Sequence, residues 1–163
     1  MVIVSDTTVI IALAKIERLR LLKELWQTIL IPESVKEEVI EEKPGAKIFR
    51  EAIKEGWIIV KEIQENDVVK ILRSHLGAGE SECIALALEQ KAHLLITDDK
   101  KAKSYAKKIG LNVIGTLGLI VQAVGESVIT AEEAVGMIQK LKEIDFRLSN
   151  AVIDQAKGLI FKH

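Results

Sequence analysis

Five short apolar runs punctuate the chain, at about residues 2–5, 28–31, 57–61, 93–97 and 111–114. They are rich in Ile, Val and Leu and alternate little with polar residues. That is the pattern of strands covered on both faces, as in a parallel sheet. Between them, apolar positions recur at helical spacing. "TVIIALAKIERLRLLKEL" predicts one or two helices, and "PESVKEEVIEE" predicts another with Pro32 at a tolerated first helical position. A further helix is expected before Gly56, and "GESECIALALEQ" supplies one more. "KKAKSYAKKIG" ends on Gly110 in the manner of a helix stop. The only other proline, Pro44, also falls between apolar-periodic segments. After "GLNVIGT" the pattern is helical, over about 116–124, 130–142 and 148–161, with Thr130 and Glu133 at capping-box spacing.

Strands alternating with helices predict an α/β fold: a mostly parallel central sheet flanked by helices, as an α/β/α sandwich. A helical C-terminal extension covers about 126–163. The 163 residues suffice for one domain with a real core, so a single domain over 1–163 is expected.

Composition narrows the function classes. The formal net charge of −1 excludes a whole-molecule basic field, so any nucleic-acid binding must use a local patch. The single cysteine, Cys83, has no internal disulfide partner, which fits a reducing compartment. No apolar run approaches the roughly 18 residues of a membrane span. The N-terminus enters a strand directly and does not read as a signal peptide. The expectation is a cytoplasmic protein with no membrane partner.

The candidate chemistry starts from an echo. "VIVSD" and "LLITDD" both end a buried strand in aspartate, at Asp6 and at Asp98/Asp99. In an open parallel sheet, ligands bind outside the carboxyl ends of the strands, so neighbouring strands would bring these acids to one edge. Aspartate is also a favoured helix N-cap. Asp6 and Asp98 each precede a helical pattern and could serve in that way, whereas Asp99 is then not needed as a cap. Glu80 opens a helix in "GAGESE", where it would also interact well with the helix dipole. Glu38 lies beside the apolar stripe of Val35, Val39 and Ile40, on a helix whose other glutamates read as a solvated face. If the four acids converge, a hard cation such as Mg²⁺ or Mn²⁺ is the ligand that would neutralise them.

The ordered set resembles the PIN domain family, small nucleases that include the toxins of VapBC-type toxin–antitoxin pairs. It consists of strand–Asp, Pro-x₅-Glu on a helix, Gly-Glu before an Ala-rich helix, then strand–Thr-Asp-Asp. The resemblance runs from Val2 to about Gly118, and "FRLSNAVIDQA" resembles the tail of one prokaryotic subgroup. It implies a catalytic set of Asp6, Glu38, Glu80 and Asp99, with Asp98 as a competing register for the last. Asp6, Asp99, Asp98 and Glu80 are the implied metal ligands, and Thr8 and Thr97 the supporting polar positions. Position 80 departs from the family's more usual Asp, and the extra methylene moves the carboxylate outward.

The implied activity is Mg²⁺- or Mn²⁺-dependent hydrolysis of RNA phosphodiesters, in which the cation lowers the pKa of a bound water and steadies charge on the phosphate and leaving oxygen. RNA is then the substrate, an antitoxin protein is an implied partner, and Lys100, Lys101 and Lys103 follow the acids as phosphate contacts. A catalytically inactive PIN-like module that binds RNA or a protein is the alternative. A homodimer is expected as well. "GTLGLIVQAVG" is apolar on most sides and needs cover, either from a second copy or from residues 148–161 folding back. Other constellations fail. His75, His93 and His163 lack metal-ligand spacing, Cys83 reads as core, and no Walker loop or nucleophile elbow is present.

Overall fold

The structure is a computed structural model and describes residues 1–41 and 45–162. Pro44 and His163 lie outside the described residues. Five strands form one sheet: β1 (Ile3–Ser5), β2 (Ile29–Pro32), β3 (Ile58–Lys61), β4 (Leu94–Ile96) and β5 (Val113–Ile114). All neighbours run parallel, in the order β3-β2-β1-β4-β5. Ile3, Val4, Ile29, Ile31, Leu95 and Ile96 are buried, as strands covered on both faces require.

The helices between the strands are α1 (Thr7–Lys15), α2 (Leu21–Trp26), α3 (Glu33–Glu41), α4 (Ala46–Glu55), α5 (Asp67–His75), α6 (Ala78–Glu89) and α7 (Lys100–Lys108). Three more close the chain: α8 (Thr116–Gly125), α9 (Ala131–Glu143) and α10 (Asn150–Ile160). The arrangement is the expected α/β/α sandwich with a helical C-terminal part. Every strand matches a sequence-predicted run. Gly110 takes a left-handed φ of +89° just after α7, which is the glycine stop read from the sequence.

Some details differ. α5 is an element the apolar pattern did not assign. Its buried positions are only Val69 and Leu72, and its N-terminus is fixed by Asn66, which accepts from Val69 N at 3.1 Å. Pro32 is the last residue of β2 and not the first of α3. It sits where the helix would need no donor, so the same missing N–H is harmless one residue earlier. Thr130 caps α9 through Glu133 N (3.1 Å), but the Glu133 carboxylate goes to Arg18 (2.9 Å) instead of returning to the cap. The capping box is half formed because an ion pair to Arg18, in the turn between α1 and α2, competes for its acid.

α10 packs against α8 and α9. Ile153, Ala156 and Ile160 of α10 are buried, as are Leu119, Ile120 and Ala123 of α8. The apolar face of α8 therefore finds its cover within the chain.

Candidate active site

The strand order reverses beside β1. The chain runs from β1 outward through β2 to β3, then crosses back so that β4 lies on β1's other side. That leaves a crevice at the carboxyl ends of β1 and β4, the usual ligand site of such sheets. Ser5 pairs with Ile96, and the Asp6 N–H donates to the Ile96 carbonyl at 2.9 Å. Asp6, Asp98 and Asp99 thus leave two adjacent strands at the same edge.

Asp6 is only 4% exposed. Its Oδ1 accepts from Val9 N at 3.1 Å, capping α1, and its Oδ2 accepts from the Thr97 hydroxyl at 2.6 Å. One residue is both helix cap and site acid, so the two readings of Asp6 do not exclude each other. Burial pushes its carboxyl from 3.8 up to about 7. The Thr97 and Val9 hydrogen bonds pull it back, and the charges of Asp98 and Glu80 add to the rise. Asp6, Asp98 and Glu80 therefore share one field, and among the described residues no cation forms an ion pair with Asp6.

Thr97 ties the two strand ends together. Its hydroxyl donates to Asp6 and accepts from the Asp99 N–H at 3.2 Å. The capping role at this strand end falls on Asp99 and not on Asp98: Asp99 Oδ1 accepts from Ala102 N at 2.7 Å and starts α7. Asp98 instead reaches the start of α8, where Oδ1 accepts from Thr116 N at 2.9 Å and Oδ2 from the Thr116 hydroxyl at 2.5 Å. The sequence reading missed Thr116. Its signal was present in "VIGT", a polar residue directly after the last strand, and therefore at the same sheet edge.

The glutamates come from helices. A methyl group at Gly79, in the first turn of α6, would sit 2.8 Å from Glu38 Oε1 and 3.9 Å from Thr7 Oγ1. α3 and α6 pack together, and the bare Cα of Gly79 makes room for the Glu38 carboxylate between them. Glu80 Oε2 folds back over Gly77 in the same way, 2.5 Å from where its Cβ would be. Among the described residues, neither Glu38 nor Glu80 has a side-chain hydrogen bond or salt bridge. Thr8 is exposed and its hydroxyl has no partner among the described residues, whereas Thr7 Oγ1 faces the same bare Cα of Gly79 as Glu38 does. Cys83 is buried under the site, with Sγ 3.5 Å from the Ser5 carbonyl. Burial, and next the Asp6 charge, hold its thiol well above the usual range, so it is an inert core group. His93 accepts from Val2 N through Nδ1 at 2.8 Å, a structural use.

The edge is thus lined by hard oxygen donors that follow β1 and β4 directly and by others on α3 and α6. Among the described residues no three such side chains already converge as a closed metal-binding group. The chemistry of the donor set nonetheless fits a hard divalent cation. A buried carboxylate lies in the field of two others without an ion-pair partner, and the two glutamates are long and unengaged.

The fold is a parallel α/β/α sandwich with carboxylates at its switch point. A family model described as a PIN domain matches residues 2–160, and the chain belongs to the PIN domain family. No curated relative matches the chain. PIN domains are generally nucleases that act on nucleic acid with divalent metals. No helix among the described residues is long and apolar enough to cross a membrane.

Proposed function

We propose that this protein is a divalent-metal-dependent endoribonuclease, a single PIN-like domain with residues 126–163 as its helical extension. It acts in the cytoplasm as the toxin of a toxin–antitoxin pair. The observation that carries the reading is Asp6, a buried carboxyl driven to about 7 by its burial and by Asp98 and Glu80 at the crevice between β1 and β4. A bare structural cap gains nothing from two further acids beside it. Asp6 and Glu80 would hold Mg²⁺ or Mn²⁺ with Asp98 or Asp99, and Glu38 would act directly or through water. Bound there, the cation supplies Lewis-acid chemistry and a more acidic water. The chain's own share is to fix the carboxylates: Thr97 orients Asp6, and Thr116 orients Asp98. The exposed Lys100 and Lys101 at the start of α7 lie beside the acids and supply phosphate contacts.

The test is cleavage of single-stranded RNA by the full chain in Mn²⁺, with Asp6→Asn alongside. Cleavage by the parent, abolished in a folded Asp6→Asn, supports the reading. A destabilised Asp6→Asn that still cleaves would leave Asp6 as a cap only.

The second reading, an inactive RNA- or protein-binding module, is favoured by one observation. Asp98 and Asp99 already spend oxygens on the starts of α8 and α7. A parent that binds RNA but never cuts it in Mn²⁺ would select this reading. A homodimer also belongs to the proposal. With α8 covered, its interface would use exposed apolar residues such as Val152, Leu159 and Phe161 at α10. A single 18.1 kDa species in sedimentation at micromolar concentration, unchanged by dilution, would remove it.

A further inference from the structure

The lysines of α7 are not one uniform surface. Lys100, Lys101, Lys107 and Lys108 are exposed, while Lys103 is half-buried. Lys103 turns back towards the sheet edge. A methyl group on Gly115 would meet Lys103 Nζ at 2.7 Å and Asp98 Oδ1 at 2.5 Å, so ammonium and carboxylate close over the same bare Cα. They nevertheless form no salt bridge. Both oxygens of Asp98 are engaged by Thr116, and among the described residues no acid lies within ion-pair distance of Lys103. A half-buried cation therefore lies beside the acid-lined crevice, close to the Asp98 carboxylate but outside direct ion-pair distance of it.

We propose that Lys103 is a catalytic residue that donates to a non-bridging oxygen of the scissile phosphate, distinct from the outer lysines that hold the RNA backbone. This rests on the ribonuclease reading. In hydrolysis a water oxygen bonds to phosphorus, the bond from phosphorus to one ribose oxygen breaks, and the water's proton ends on that leaving oxygen. Negative charge grows on the non-bridging oxygens along the way, and a preorganised ammonium there stabilises the transition state more than the ground state. Lys100 and Lys101 are exposed and touch only backbone charge, so they contribute affinity and its salt dependence.

Two measurements on the full chain decide it. In Mn²⁺, Lys103→Met keeps the packed stem and removes the charge. We expect kcat to fall about 100-fold, the scale of losing one preorganised donor, with KM changed less than threefold and Lys103→Arg restoring part of the rate. The Lys100→Ala/Lys101→Ala pair should raise KM and flatten its salt dependence with kcat nearly unchanged. A Lys103→Met that is folded by circular dichroism and loses only affinity overturns the proposal. The second measurement is independent of turnover. In non-cleaving Asp6→Asn, single-stranded RNA should protect the Lys103 amine from acetylation. Lys103 acetylated equally with and without RNA overturns the proposal, even if the parent cleaves. Protection of Lys103 in a parent that never cleaves upholds the phosphate contact while removing the ribonuclease reading, so the two failures are distinguishable.

Discussion

At the scale of a residue, Asp6 contributes a pH-dependent share of the protein's stability. It titrates near 3.8 in the unfolded chain and at about 7 in the folded one. Between those values the folded state holds the extra proton, so this group's contribution to stability falls as pH rises through the window. At ~1.4 kcal/mol per pKa unit the effect is at most a few kcal/mol. Asparagine keeps an oxygen for Val9 N and can donate to the Thr97 hydroxyl, so Asp6→Asn should be more stable than the parent at pH 8 in EDTA. At pH 4 the two should be nearly equal. Urea unfolding at both pH values checks this, and a difference that does not grow with pH would mean the carboxyl is not held up by its surroundings. Thr97→Val should act the other way. It removes the 2.6 Å donor to a buried carboxylate, at a cost of about 1.5–3 kcal/mol at pH 8, and it should loosen Asp99 as well.

At the scale of elements, the site is assembled by helix starts. Asp6 opens α1, Asp99 opens α7, Asp98 grips the start of α8, and Gly79 lets α3's Glu38 meet α6. Gly79→Ala separates packing from function. Alanine gains about 1 kcal/mol of helix propensity over glycine, but its methyl would sit 2.8 Å from Glu38 Oε1, the free end of a flexible chain. The expected outcome is unchanged or slightly raised stability with the Glu38 carboxylate displaced and Mn²⁺ affinity lowered. Calorimetric titration with Mn²⁺ measures it, and unaltered affinity would place Glu38 outside the metal shell. Asp98→Ala strips Thr116 of both its acceptors and should cost about 0.5–2 kcal/mol through α8, as an N-cap loss does.

At the scale of the molecule, the C-terminal helices complete the core and do not decorate it. Ile120 is fully buried between α8 and its cover, with Ile153 and Ile160 on the α10 side. A charge there has no partner, so Ile120→Glu should unfold the chain and not merely split an assembly. Loss of helical circular dichroism at 25 °C is the expected readout. Retained helicity with a halved mass in sedimentation would instead put a subunit interface on α8.

The apolar runs determined the five strands and nearly all the helices, because a strand buried on both faces cannot be written without a continuous apolar stretch. The strand-end acids were equally legible, since chain direction alone puts Asp6, Asp98 and Asp99 at carboxyl ends. α5 escaped because two buried residues, Val69 and Leu72, make too faint a stripe. Sequence alone reads Asp98 as the cap of α7, and the cap is Asp99, because adjacent aspartates satisfy the same local rule and the choice depends on where α8 begins. Tertiary structure alone decided that β1 and β4 are neighbours, that Thr116 answers Asp98, and that Glu38 reaches Gly79. It also turned Lys103 away from its neighbours on α7 and closed α10 over α8. Each of these joins residues far apart in the chain through a close approach in space, and no local periodicity encodes such a distance.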